Sequence, residues 1–157
     1  MAPLEAPMFK RILVPIDGSE HATRAVDIAG SLAGQDGAPL TLLHVLTHSG
    51  GYSVPKELQA YSKVEHIRIT EKDLIESVGQ EILGNAAQRL RDNGVGAVEE
   101  RLESGDPASV IAAVAEGSGA DLIVMGRRGL GDLGGLLLGS VSHKVAQAVD
   151  CSCLTVK

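Results

Sequence analysis

The sequence predicts an α/β fold, a single-domain, doubly wound sheet of about five mainly parallel strands with helices on both faces. Three observations lead to this class. Short apolar runs alternate along the chain with longer segments of helical periodicity, which is the pattern of successive βαβ units. Aromatic residues make up only 2% of the 157 residues, so Val, Ile, Leu and Ala must build the core, as in buried parallel sheets. The length is typical of one domain, and no internal repeat or linker divides residues 1–157.

The first three elements form one such unit. The apolar run RILVPI at 11–16 predicts a buried strand. Ser19 is a suitable N-cap for the helical segment that follows, and glycines end that helix. The run PLTLLHVL at 39–46 predicts a second strand, so the two strands should pair in parallel across a right-handed helical crossover.

The next stretch of the chain is less regular. Residues 47–65 combine Gly-Gly, Pro and mixed polarity and predict a long loop that could contain a helical turn. Residues 1–8 are expected to form a flexible N-terminus. Residues 67–92 predict a helix, which Gly79 and Gly84 weaken. Its apolar stripe consists of Leu74, Ile75, Val78, Ile82, Ala86 and Leu90.

The second half of the chain returns to alternating strands and helices. Residues 97–103 alternate between apolar and charged side chains, which is typical of a half-exposed strand at or near a sheet edge. Asp106 and Pro107 predict a helix start, as N-cap and first helical residue. The remaining elements are a buried strand at 120–126, a helix at 140–150 and a strand at 151–157.

Composition narrows the range of functions. A net charge of −6 and the scarcity of aromatic residues argue against general binding of nucleic acids or anionic membranes. No secretory signal and no apolar run of about 20 residues is visible, so a cytoplasmic location is expected. Cys151 and Cys153 would share one face of an extended strand and could not form an unstrained disulfide, which fits a reducing compartment.

Three stretches follow directly after predicted strands. These are Asp17-Gly18-Ser19, Leu46-Thr47-His48 and the glycine-rich stretch that begins at Gly126. In open α/β sheets, ligands bind beyond the carboxyl ends of the strands, where the winding of the chain reverses. We therefore expect the three stretches to border one crevice.

Two phosphate-binding motifs can be rejected in the glycine-rich stretch. Gly129, Gly131 and Gly134 match the G-x-G-x-x-G dinucleotide fingerprint, but this fingerprint should open a helix directly, and residues 136–139 intervene. The acidic residue about 20 positions on, Asp150, precedes the last strand instead of ending it. A Walker A loop requires Gly-Lys, a dipeptide absent from the chain.

A third motif, G-x2-G-x9-G-S, begins at Gly126 and Gly129 and ends at Gly139-Ser140. This spacing resembles the nucleotide-binding motif of the universal stress protein family, in its ATP-binding branch. The segments ILVPIDGSEHATRAV, LLHVL and DLIVMGRRG are similar to the family's first strand and helix, second strand and fourth strand, so the resemblance covers nearly the whole chain. It implies the adenine nucleotide alpha-hydrolase-like fold, bound ATP or another adenine nucleotide with Mg²⁺, and a stress-linked role.

Physical chemistry supports a phosphate site at this motif. Gly126 and Gly129 would let backbone amides approach phosphate oxygens with no Cβ in the way. Gly139 and Ser140 would lie at the N-terminus of the last helix, where free N–H groups and the helix dipole favour an anion. Ser140 could cap that helix and donate its hydroxyl to a phosphate, and Ser142 is placed to join it.

The resemblance implies further contacts with the nucleotide. Asp17 would meet the ribose or a metal at the phosphates, the main chain of Val45 would read the adenine edge, and Met125 would line the ribose side. Each of these residues has a simpler alternative role. Asp17 could cap the helix or shape the turn without binding a ligand, and Val45 and Met125 could be core residues. Arg128, like Arg127, could be solvated. The complete predicted set is Pro15, Asp17, Val45, Met125, Gly126, Arg128, Gly129, Gly139, Ser140, Val141 and Ser142, with Asp17 as the candidate metal ligand.

The sequence offers no catalytic residues that we can name. It contains no evident Ser-His-Asp order, paired carboxylates or metal cluster, and no convincing base for phosphoryl transfer. A nucleotide-binding regulator with little or no turnover is therefore the first hypothesis. A slow ATP-hydrolysing or nucleotidyl-transferring enzyme and a nucleotide-free interaction module stay open as alternatives. The resemblance implies a homodimer joined along residues 151–157. An unidentified regulatory protein is a further candidate partner. Leu136–Leu138 would either pack the loop against the protein or contact a partner subunit.

Overall fold

The structure is a computed structural model that describes residues 6–47, 54–129 and 139–157. Its strands are β1 (Ile12–Pro15), β2 (Leu40–Leu46), β3 (Val98–Ser104), β4 (Leu122–Gly126) and β5 (Ser152–Val156). Its helices are α1 (Glu20–Asp36), α2 (Lys56–Val64), α3 (Glu71–Asp92), α4 (Pro107–Ser118) and α5 (Ser140–Ala148).

The five strands form one sheet in the order β3-β2-β1-β4-β5, and every neighbouring pair is parallel. The chain enters at the central strand β1, winds outward through β2 and β3, and then crosses to the other side of β1 for β4 and β5. The winding reverses between β1 and β4, so the carboxyl ends of these two strands border the crevice that such folds provide for ligands. The predicted fold class is confirmed.

Each face of the sheet has its own core. Ile12 and Val14 point to the side on which α1 and α3 pack, whereas Leu13 between them points to the side of α4 and α5. All three side chains are at most 2% exposed. Small residues dominate the α1 contribution, namely Ala22, Ala25, Ala29 and Ala33, which lets this helix lie close to the sheet.

In three helices, a polar side chain at the N-cap position accepts a hydrogen bond from a backbone N–H of the first turn. Ser19 accepts a hydrogen bond from the N–H of Ala22, and Asp106 accepts one from the N–H of Ser109, with Pro107 as first helical residue. Thr70 and Asp73 form a reciprocal capping box at α3. The predicted caps at Ser19 and Asp106 are thus confirmed.

The expected long loop at 47–65 is partly wrong, because α2 occupies Lys56–Val64. The sequence KELQAYSKV consists largely of strong helix formers, with Glu57 in the first turn and Lys63 in the last, where each suits the helix dipole. This helix has no buried residue, so no apolar stripe marked it. The following helix also begins later than predicted, at Glu71, since Thr70 is its N-cap.

The sheet has two edge strands, β3 and β5. The edge position expected for the strand at 97–103 is confirmed, because β3 closes one side of the sheet. On the opposite side, β5 carries Cys153, and both Cys151 and Cys153 are free thiols whose pKa is raised by burial.

None of the helices in the described ranges is both long and apolar enough to cross a membrane.

The N-terminal segment is described only from residue 6 onward. Residues 6–8 are exposed and belong to no helix or strand, and the main-chain N–H of Phe9 then donates to Asp36 at 3.0 Å. The chain is thus fixed to the end of α1 from Phe9 onward.

Candidate functional site

A cavity of about 500 Å³ lies at the carboxyl ends of β1, β2 and β4. Its wall continues over the first turns of α1, α4 and α5 and over one side of α3. The three stretches that were expected to share a crevice do so, because Asp17, Leu46 and Gly126 all line this one cavity.

Most of the predicted site residues lie in the wall of this cavity. Those that line it are Pro15, Asp17, Val45, Met125, Gly126, Arg128, Gly129, Ser140, Val141 and Ser142. Gly139, the remaining one, directly precedes α5 as its N-cap. Val45 and Met125 also belong to the core beneath α4 and α5, so the core role that was their simpler alternative is present as well.

The turn between β1 and α1 satisfies its own hydrogen bonds. The N–H of Ser19 donates to Oδ1 of Asp17 at 2.9 Å, and the N–H of Ala22 donates to the hydroxyl of Ser19 at 3.2 Å. Ser19 is buried. Asp17 therefore shapes the turn, because its carboxylate accepts from the amide two positions along the chain, as in an Asx-turn. The contact of Asp17 with a ligand stays a prediction.

Gly126 has a reason to be glycine that lies within the fold. A Cβ at this position would lie 2.9 Å from the backbone nitrogen of Ala22 and 2.9 Å from Cβ of His21. The end of β4 thus packs directly on the first turn of α1. The sequence reasoning attributed this glycine to phosphate approach, but the first turn of α1 occupies the space beside it.

The main chain of Arg127 connects three elements beside the cavity. Its N–H donates to the carbonyl oxygen of Val156 at the end of β5, at 2.6 Å. Its carbonyl oxygen accepts from the N–H of Gly139 at 2.7 Å and from the hydroxyl of Ser142 at 2.9 Å. The first residue after β4 is thereby fixed to both β5 and the start of α5.

The start of α5 differs from the prediction in two respects. Its N-cap is Gly139, in an extended conformation, and Ser140 is the first helical residue, with an exposed side chain. Ser142 is buried, and its hydroxyl lies 2.9 Å from the carbonyl oxygen of Arg127 and 3.1 Å from that of Gly139. Because a hydroxyl has one proton to donate, Ser142 uses it on the main chain here and not toward the cavity.

No side chain in the described ranges caps the first turn of α5. Ser140, Val141 and Ser142, which form that turn, all line the cavity. A helix N-terminus carries a partial positive charge and N–H groups that suit an anion. Arg128 adds a full positive charge to the same wall.

The cavity offers limited means to hold a metal. Among the described lining residues Asp17 supplies the carboxylate, and no cluster of three His, Cys, Asp or Glu residues occurs in the described part of the chain. Mg²⁺ is commonly bound by one or two carboxylates together with substrate phosphates and water. Asp17 fits such a shared site, whereas a site made of protein ligands alone has no basis in the described residues.

Sequence reasoning missed the wall that α3 contributes. No residue of the apolar stripe was among the predicted site residues, but Leu74, Ile75, Val78 and Ile82 line the cavity, and Val78 is 53% exposed. Gly79 was the available signal, because a Cβ there would lie 2.9 Å from the ring of His44 on β2. This close approach brings the first half of α3 against the carboxyl end of β2.

His44 is a further cavity residue outside the predicted set. Its Nδ1–H donates to the carbonyl oxygen of Ile16 at 2.7 Å, so the ring ties β2 to the end of β1. His143 is exposed on α5. Gly131, Gly134, Gly135 and Leu136–Leu138 lie outside the described residues.

The fold and the cavity define the class, namely a doubly wound α/β protein with a cavity at the reversal of winding, beside a helix whose first turn has no side-chain cap among the described residues. Comparison with known families then gives the particular assignment. The model of the universal stress protein family matches residues 8–157. The chain belongs to this family.

Relatives and solved structures agree with this assignment. Universal stress protein YxiE of Bacillus subtilis is 37% identical over 153 residues, covering 96% of this chain and all of that protein. A universal stress protein solved in complex with cAMP has a TM-score of 0.68 and 28% identity, covering 95% of this chain and 97% of its own. The universal stress protein of Archaeoglobus fulgidus in complex with dAMP has a TM-score of 0.65 and 25% identity, covering 94% and 98%.

Proposed function

We propose that this protein binds an adenine nucleotide, ATP in the first place, in the cavity at the carboxyl ends of β1, β2 and β4, and acts as a stress-response regulator with little or no turnover. The observation that carries the proposal is the start of α5. It borders the cavity without a side-chain cap, whereas α1, α3 and α4 are all capped by their own residues. Such a start is suited to the phosphates of a ligand.

The related structures support the chemical class of the ligand. Two of them hold cAMP and dAMP, which share adenine, a sugar and a phosphate. In our proposal the phosphates lie at Ser140 and Arg128, and the adenine lies between Val45 and the apolar wall of α3. Apolar walls with a few polar groups are typical of sites for ligands of this size.

Mg²⁺ enters the proposal through Asp17. The carboxylate would hold the ion together with phosphate oxygens, and the ion would neutralise phosphate charge. Low turnover is proposed because the wall offers few candidate bases, its ionisable groups among the described residues being Asp17, His44 and Arg128. Asp17 is assigned to the metal, and His44 donates from Nδ1 to Ile16, so the Nε2 of His44 is the one remaining candidate among these three groups for activating water.

Calorimetry on the purified protein tests the proposal. We expect one site per chain for ATP, tighter in the presence of Mg²⁺, and no binding of CTP at the same concentration. The Asp17→Asn variant should still bind ATP but lose the effect of Mg²⁺. ATP should survive prolonged incubation with the protein. Rapid hydrolysis that Asp17→Asn abolishes would favour the enzyme alternative, and absence of any adenine nucleotide binding would favour the nucleotide-free module.

We also propose a homodimer through residues 151–157, in the cytoplasm. Its support is the edge position of β5, where Leu154 is 38% exposed. An open edge strand is a ready template for pairing with another chain. Light scattering should give twice the mass of the chain, and Thr155→Pro should reduce it to a monomer. A monomeric wild-type protein would contradict this part of the proposal.

A further inference from the structure

His21 lies in the first turn of α1 and contacts the residues that follow β4. The main-chain N–H of Arg128 points to Nδ1 of His21 at a distance of 3.3 Å between the nitrogens. An amide N–H can only donate, so Nδ1 must accept, and the neutral ring then carries its proton on Nε2. His21 is not one of the predicted site residues.

Three successive residues, the last one of β4 and the two that follow it, are each fixed by a different contact. Gly126 packs on the backbone of His21 and Ala22, and Arg127 is bound to β5 and α5 through its main chain. Arg128 is bound by the ring of His21. His21 thus holds the N–H side of the peptide between Arg127 and Arg128, whose carbonyl side is held by Gly139 and Ser142.

His21 itself is not among the residues that line the cavity, whereas Arg128 and Gly129 are. Its effect on a ligand must therefore pass through the Arg128 peptide. Holding that peptide fixes the position of the Arg128 Cα, from which both the Arg128 side chain and the peptide to Gly129 extend. Arg128 and Gly129 both line the cavity in which the proposed function places the phosphates.

We propose that His21 is a positioning residue, whose Nδ1 holds the Arg128 peptide so that Arg128 and Gly129 meet the phosphate of the nucleotide. This inference rests on the proposed function. It makes His21 a determinant of affinity for the phosphate and not for the nucleoside. A residue that merely supports the fold would affect both parts of the ligand alike.

The test compares AMP with adenosine in calorimetric titrations of the full chain. His21→Leu removes the acceptor and should weaken AMP about fivefold, as expected for one neutral hydrogen bond, while adenosine affinity stays within twofold. His21→Asn offers an amide oxygen near the position of Nδ1 and should restore AMP affinity to within twofold. Gln35→Leu, at an exposed position in the last turn of the same helix, is the matched control and should change neither affinity.

Hydrogen exchange of the Arg128 amide gives a second readout that needs no ligand. Exchange should be faster in His21→Leu than in the wild type and should slow again in His21→Asn. If wild-type protein binds neither AMP nor adenosine, the proposed function fails, and the exchange rates alone decide whether His21 holds the peptide. If AMP binds and His21→Leu leaves it unchanged, or weakens AMP and adenosine equally, the inference about His21 is overturned.

Discussion

Two helix N-termini face the same cavity and differ in what they offer to a ligand. At α1, the hydroxyl of Ser19 accepts from Ala22, and Asp17 accepts from Ser19, so the chain satisfies this turn itself. At α5, Gly139 provides no side chain, and the hydroxyl of Ser142 is turned to the carbonyl oxygens of Arg127 and Gly139. A helix start can therefore serve an anion only where the protein has not already capped it.

The two helix starts also differ in how they are held in place. The first turn of α1 is fixed by packing, since Gly126 lies directly against its backbone. The start of α5 is fixed by hydrogen bonds, which converge on the main chain of Arg127. Apart from His21, which holds the Arg128 peptide, changes at the start of α1 should therefore act mainly on stability, and changes at the start of α5 should act mainly on ligand binding.

The largest effect is expected at the packed contact. Gly126→Ala adds a Cβ 2.9 Å from backbone atoms that cannot rotate away, and should lower the free energy of unfolding by about 2 kcal/mol. Gly117→Ala on α4 is the matched control, because a Cβ there meets nothing within 4 Å, and it should raise stability by about 0.5 kcal/mol. Urea denaturation measures both. Equal stability of the two variants would show that Gly126 is not required for packing.

Two serine variants should separate the roles of the two helix starts. Ser19→Ala removes the α1 cap and should cost about 1 kcal/mol of stability, with AMP affinity unchanged. Ser140→Ala should leave stability within about 0.5 kcal/mol, because the Ser140 side chain is exposed, and should weaken AMP about fivefold. Urea denaturation measures the stability of both variants, and calorimetry measures their affinity for AMP. The reverse pattern would place the ligand at α1.

The smallest effect concerns the carboxylate cap of α4, which α5 lacks. Hydrogen bonds from the side chain and backbone of Ser109 hold the pKa of Asp106 below its ordinary value of 3.8. A carboxyl whose pKa is lowered by folding stabilises the protein above its unfolded-state pKa, and this contribution is lost as the pH falls through the lowered value. Thermal unfolding between pH 6 and pH 2.5 should show the loss, and Asp106→Asn should flatten it. An unchanged pH profile in the variant would contradict this role.

The sequence predicts best the features that depend on neighbouring residues. Ser19 and Asp106 were recognisable as caps because a cap contacts amides three positions away. The apolar runs predicted the strands because a buried parallel strand must be apolar on both faces. Most of the predicted site residues lie in one cavity for a similar reason, since the carboxyl ends of parallel strands meet at one edge of the sheet.

Features that depend on distant packing could not be predicted in this way. Whether the apolar stripe of α3 covers the core or a cavity depends on how far the helix extends beyond the sheet, which Gly79 and its contact with His44 determine. The same holds for Gly126, whose neighbour is α1, and for Ser142, whose hydroxyl contacts Arg127. A sequence pattern identifies these residues as unusual but does not identify what they contact.

The central claim is that a nucleotide phosphate binds at the uncapped start of α5. Backbone amide shifts measured by NMR on addition of AMP and, separately, of adenosine test it most directly. We predict that the amides of Ser140, Val141 and Ser142 shift far more with AMP than with adenosine, whereas those of Ser19 and Ala22 respond alike to both. A phosphate-dependent shift concentrated at Ser19 and Ala22, with none at Ser140–Ser142, would contradict the claim.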